Sequence, residues 1–138
     1  MNVNEIMTND VSFIGLNASV ITAAKAMKDL NVGVIPVVDE RKHVVGVITD
    51  RDIVLRCVSQ NYDTNSVNVD EVMSNRVLLV NPQTDVNEAC KIMSRNQIRR
   101  LPVVEGEKLV GMLSLADVAV DKRCNCDSSK TLESICQD

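Results

Sequence analysis

The sequence predicts an α+β fold built from two like halves, and three observations carry that prediction. The chain repeats itself: Val3-Asn-Glu-Ile-Met7 returns as Val69-Asp-Glu-Val-Met73, and Val20, Ala23, Met27, Pro36, Val37 and Val38 return 66 residues later as Val86, Ala89, Met93, Pro102, Val103 and Val104. Within each copy, apolar residues at helical spacing alternate with short β-branched runs. Only two copies are present, whereas a solenoid stacks roughly three or more units of about 20–50 residues. The expected arrangement is two β-α-β-β-α units packed about a pseudo-two-fold axis, with two related sites in the cleft between them.

Each element has a local cause. Val11 to Ile14 is a β-branched and aromatic stretch that reads as a short strand. Ser19 can cap the helix carrying Val20, Ala23, Ala24, Met27 and Leu30 on one stripe, and Asp85 can cap its counterpart with Val86, Ala89, Cys90 and Met93. Val34-Ile-Pro-Val-Val38 follows as a strand that Pro36, lacking an N–H, should place at an edge or a strand entry. The charged turn Asp39 to His43 then joins it to Val44-Val-Gly-Val-Ile48 as an antiparallel hairpin. A second helix starts near Thr49 with Ile53, Val54, Cys57 and Val58. The expected division is a first repeat at 1–58, a polar linker at 59–68, a second repeat at 69–120, and a polar cysteine-bearing tail at 121–138.

Composition narrows the function. The chain of 138 residues is 45% hydrophobic and 25% charged, ordinary for one globular domain. Phe13 and Tyr62 are its only aromatic residues, so the core must be aliphatic and stacking platforms for single-stranded nucleic acid are lacking. A net charge of -4 without a basic stripe argues against a duplex partner. No apolar run approaches the ~20 residues of a membrane span, and Met-Asn-Val-Asn-Glu at the start lacks the basic and apolar regions of a signal peptide. The expected location is cytoplasmic. Five unevenly spread cysteines do not look like a disulfide framework.

The chemistry lies in Gly46-Val-Ile-Thr49-Asp-Arg-Asp52 and its echo Gly111-Met-Leu-Ser114-Leu-Ala-Asp117, each placed where a strand meets a helix. A hydroxyl residue followed three residues later by an acid is a capping-box signature and needs no ligand. The same geometry also suits a nucleotide: helix-start N–H groups favour phosphate, the hydroxyl adds a hydrogen bond, and the Asp can accept from the two hydroxyls of a ribose.

The β-α-β-β-α copies, the Val34-Ile-Pro-Val-Val and Arg100-Leu-Pro-Val-Val strands and the two Gly-x-x-Thr/Ser-x-x-Asp turns together resemble a tandem pair of cystathionine-β-synthase (CBS) domains, from Val3 to about Val120. Chains of that family are regulatory modules that bind AMP, ADP, ATP or S-adenosylmethionine between the two copies. The resemblance implies a phosphate-side role for Thr49 and Ser114 and a ribose role for Asp52 and Asp117. It implies that Gly33 and Val34, and Arg99 and Arg100, border the ligand, and that Ser12 and Leu78 line the adenine pocket. The copies differ: Arg51 stands where Ala116 does, and Gly33-Val34 where Arg99-Arg100 do, so phosphate affinity should differ between the sites. Arg99 and Arg100 should point to opposite faces of their strand. The resemblance also implies a homodimer paired through its helices, and a regulated protein acting in trans.

The other candidates have plainer readings. His43 is the only histidine and sits in a charged turn, so a Ser-His-Asp relay has nothing to orient it and no enzyme is expected. Cys57, Cys90, Met7, Met27, Met73 and Met93 read as core. Cys124, Cys126 and Cys136 are three thiols, one short of a four-ligand zinc site, and read as free tail thiols; a metal- or redox-responsive interaction protein using them is the competing class. The expected function is a sensor of an adenosine-containing ligand, with no catalytic cofactor.

Overall fold

In the computed structural model, residues 1–123, 132 and 135 are described. The chain divides into two units: one runs from Ser12 to Val77, and the other joins Met1–Val11 to the chain from Leu78 onward.

The Ser12–Val77 unit contains β1 (Ile14–Gly15), α1 (Val20–Leu30), β2 (Val34–Val38), β3 (Val44–Thr49) and α2 (Asp50–Ile53), whose helical path widens to a π-helix over Val54–Val58. The sheet order is β1-β2-β3, with β1 parallel and β3 antiparallel to β2. Helix α1 buries Val20, Ala23 and Met27, spaced by three and four residues as one face requires. Its first amide groups are all engaged: Val20 N–H donates to Val67 O, Ile21 N–H to Thr64 O, and Thr22 N–H to Ser19 Oγ. The segment expected to be a linker is therefore docked on the start of α1, and Ser19 caps as its type predicts. Asn31 ends the helix in the left-handed region at φ 55°, where Asn is better tolerated than most residues.

The second unit carries α3 (Val86–Asn96), β4 (Arg100–Glu105), β5 (Lys108–Ser114) and α4 (Leu115–Val120), with β4 and β5 antiparallel. Its counterpart of β1 shrinks to one rung: Val80 donates to Pro102 O and accepts from Val104 N–H. The pairing stops there because Asn81 to Thr84 turns away, with Thr84 N–H bonded to Asn81 O.

Pro36 departs from the edge position expected of it, because β2 is the central strand of its sheet. The physical reason lies opposite it, where Val47 directs both its N–H and its C=O to Ser74. The rung between Pro36 and Val47 therefore asks no N–H of the proline.

Each sequence copy opens with a turn that completes the other unit. Val69 and Val72 are buried with Ile14, Val20, Ile35 and Ile48, and Val69 N–H donates to Ala18 O at 2.7 Å. Val3 is buried with Val86, Met93, Leu101 and Leu113, and its N–H donates to Thr84 O at 2.8 Å. Met27 and Met93 are buried, while Met73 and Met7 pack half-buried against the two cores. The repeated glycines make room for this exchange. A Cβ on Gly46 would stand 2.6 Å from Ser74 O and 2.8 Å from Met73 Sδ, and one on Gly111 would stand 2.7 Å from Met7 Sδ and 2.9 Å from Thr8 O.

Gly46→Ala and Gly111→Ala should therefore each destabilise the protein by about 1–3 kcal/mol through overpacking. Gly15→Ala, with nothing within 4 Å of the added carbon, should stay within about 0.5 kcal/mol. Urea denaturation of the three variants checks the ordering.

Candidate ligand-binding sites

The hairpins bring the motif residues together. Val34 pairs with Thr49, and Asp50 N–H donates to Gly33 O at 2.9 Å, so Gly33-Val34 lies beside the Thr49–Asp52 turn. In the second unit Arg100 pairs with Ser114, and Leu115 N–H donates to Arg99 O at 2.8 Å. Ser12 is exposed just ahead of β1, and the parallel register of β1 places it toward the Val34 end of β2. Leu78 is half-buried against the core of its own unit.

Both capping boxes are formed. Thr49 N–H donates to Asp52 Oδ2 at 3.0 Å and Asp52 N–H to Thr49 Oγ1 at 3.0 Å. Ser114 N–H donates to Asp117 Oδ2 at 3.0 Å and Asp117 N–H to Ser114 Oγ at 3.1 Å. The capping reading is thus correct as structure, and it leaves binding capacity. Each hydroxyl accepts one of these bonds and keeps its own proton to donate. Each box engages only one carboxylate oxygen, and in the first site the other, Asp52 Oδ1, lies 3.8 Å from Arg56 Nε.

The two sites differ in charge. Beside Thr49, the Asp50 carboxylate accepts from Arg51 N–H at 2.8 Å and crowds Gly33, where an added Cβ would be 3.1 Å from Asp50 Oδ2. The helix start of the first site thus already holds an anionic group. In the second unit the corresponding residue is Leu115, buried in the core. There Arg99, Arg100, Ser114, Leu115, Ala116, Ala119 and Leu132 line a cavity of about 430 Å³. Arg99 and Arg100 both border this cavity, and Arg99 precedes β4. Leu132 was not foreseen: it lies beyond the repeat, and no periodicity marks it.

A second hollow, of about 460 Å³, is lined by Gly15 to Ala18 and Val38 to Arg41, none of them in the strand-to-helix turns. Its Asp39 serves the β2–β3 turn. The N–H groups of His43 and Arg41 both bond Asp39 Oδ1 and hold the carboxyl below its ordinary pKa. His43 Nδ1 stands 3.9 Å from Asp39 Oδ2, half-buried in the turn.

Cys57 is a free, buried thiol. Cys90 is buried on α3 as expected and is in addition disulfide-bonded, which its place on the apolar stripe did not foretell. Cys124, Cys126 and Cys136 lie outside the described residues. Among the described residues, no group of three or more His, Cys, Asp or Glu could hold a metal ion, and no helix is long and apolar enough to cross a membrane.

Two half-units with matched strand-to-helix turns define a tandem-repeat fold, and the sequence profile of the CBS domain matches residues 3–59 and 69–120. The chain belongs to the CBS domain family. It is 40% identical over 134 residues to the CBS domain-containing protein YhcV of Bacillus subtilis, covering 97% of this chain and 94% of that protein. Its fold matches Hypoxic Response Protein I, solved with two coordinated zinc ions, at a TM-score of 0.80 and 28% identity over 86% of this chain and 97% of that one. It also matches the CBS domain pair of protein MJ0100, in complex with 5′-methylthioadenosine and S-adenosyl-L-methionine, at a TM-score of 0.75 and 28% identity over 86% and 93% of the two chains.

Thr49→Ala removes the hydroxyl that accepts from Asp52 N–H and should cost about 0.5–2 kcal/mol of stability, whereas Thr49→Ser should retain most of it. Chemical denaturation of the two variants reads the difference.

Proposed function

We propose that the protein is a regulatory sensor of an adenosine-containing ligand, AMP, ADP, ATP or S-adenosylmethionine, bound at the two strand-to-helix turns. The observation that carries this reading is the matched pair of Thr/Ser–Asp turns, each keeping a hydroxyl proton and a carboxylate oxygen available beside a strand entry. The MJ0100 relative, which carries two adenosine-type ligands, supports it. Asp52 and Asp117 accept from ribose hydroxyls, Thr49 and Ser114 donate toward phosphate, Gly33, Val34 and Arg51 border the first ligand, and Ser12 and Leu78 lie on the adenine side. Arg99 and Arg100 add cationic charge to the second site, so phosphate-bearing ligands favour it, while Asp50 disfavours them at the first.

The site is assigned no catalytic step. Occupancy shifts a conformational or assembly equilibrium that a partner protein reads in trans. The exposed Val54, Leu55 and Val58 on the second helix of the first repeat support pairing of two copies through such helices.

A ligand at 100 times its dissociation constant should stabilise the protein by about 2.7 kcal/mol, visible in a thermal-shift panel of AMP, ADP, ATP, S-adenosylmethionine and guanosine counterparts. Asp52→Ala and Asp117→Ala should each weaken one site by about ten- to a hundred-fold, the loss of a charge-assisted hydrogen bond. Calorimetric titration separates the sites. Unchanged affinity in the folded double variant would reduce the turns to caps.

A metal-responsive reading of Cys124, Cys126 and Cys136 draws support from the zinc ions of the Hypoxic Response Protein I relative. On that reading, native mass spectrometry of protein purified without added zinc should show near-stoichiometric metal, lost in Cys124→Ser with Cys126→Ser. The same spectra report the number of subunits. Metal-free protein that ignores added zinc leaves the sensor reading alone.

A further inference from the structure

We infer that Arg56 is the positioning residue of the first site, holding Asp52 for the ribose and linking its occupancy to the Val72–Ser74 strap; the ribose half of this inference rests on the adenosine reading above. Asp52 has two oxygens with separate tasks. Oδ2 accepts from Thr49 N–H at 3.0 Å, while Oδ1 faces Arg56 Nε at 3.8 Å. The Asp52 side chain is 14% exposed and that of Arg56 55%, so the carboxylate lies largely beneath the surface and the cation toward solvent. The same guanidinium reaches the strap, where Nη1 donates to Val72 O at 3.3 Å and to Met73 O at 3.2 Å.

The strap leads back to the site. Ser74 exchanges two backbone hydrogen bonds with Val47, at 3.0 and 2.9 Å, and Val47 lies two residues before Thr49 on β3. Asp52, Arg56, Met73, Ser74, Val47 and Thr49 therefore form a closed circuit within one unit. A ribose hydroxyl donating to Oδ1 uses the oxygen that Arg56 faces, so occupancy alters a side chain whose hydrogen bonds tie the π-helical turn after α2 to the strap. An Arg, with a planar fork of donors, serves carboxylate and carbonyls together, as a point-charged Lys cannot.

The circuit belongs to the first copy only. Shifted by the repeat, Arg56 becomes Asp121, a carboxylate that accepts from Arg123 Nε at 3.1 Å and Nη2 at 2.9 Å. The second site thus lacks this cation beside its aspartate, and the two sites should respond to different changes of sequence.

The test uses full-length protein carrying Asp117→Ala, which leaves the first site to be read, titrated with AMP and 2′-deoxy-AMP. The parent should prefer AMP by about ten-fold, the weight of one charge-assisted hydrogen bond. Arg56→Ala should bring that preference close to unity, and Arg56→Lys should restore part of it. Equal loss for both ligands, with the preference intact, would show a merely structural residue and overturn the inference. A double-mutant cycle of Asp52→Ala and Arg56→Ala in urea denaturation judges the link without ligand. Non-additive effects on the folding equilibrium constant uphold it, and additive ones overturn it. If the parent binds neither compound, the adenosine reading fails and takes the ribose half of the inference with it, while the cycle still decides whether Arg56 holds Asp52.

Discussion

The reciprocal pair of hydrogen bonds at the start of α2, repeated at α4, is the constraint on which the site depends. Each bond satisfies an amide that would otherwise lack a partner at a helix start. Together they fix where β3 and β5 end, where the short helices begin, and which carboxylate oxygen the cap engages. These helices are too short to form on propensity alone. The acid and the hydroxyl that define the proposed ligand site are thus the same groups that allow the helix to start.

The second organising feature is the exchange of opening turns. Val3 completes the core that contains Val86 and Leu101, and Val69 completes the one that contains Val20 and Ile35. A sequence copy is therefore not a folding unit by itself, since each lacks buried apolar surface that the other copy supplies. The glycine of the Gly-x-x-Thr/Ser-x-x-Asp motif has its explanation here. Gly46 and Gly111 admit Met73 and Met7 with the neighbouring backbone.

The copies have diverged where charge matters. Asp50, Arg51 and Arg56 surround the first aspartate, while Leu115, Ala116 and Asp121 occupy the corresponding positions in the second, where Arg99 and Arg100 border the cavity. A carboxylate near a helix start disfavours phosphate, and a nearby guanidinium favours it. Duplication preserved the hydroxyl–acid pair, and divergence changed the charge around it.

The sequence by itself determined the repeat, the caps at Ser19, Thr49, Asp85 and Ser114, the apolar helix stripes and the pairing of hydroxyl with acid. All of these are local or periodic, and they can be read within a few residues or by sliding one copy along the other. Only the tertiary structure decided which turn completes which core, because that choice joins residues far apart in the chain, Val3 with Val86 and Val69 with Val20. It also showed Pro36 to be central, since the absence of a ladder bond depends on what Val47 does on its far side. The cavity contribution of Leu132, the bonded state of Cys90 and the reach of Arg56 to the strap carbonyls are marked by no local pattern. Each depends on where a side chain ends after folding, which spacing along the chain does not encode.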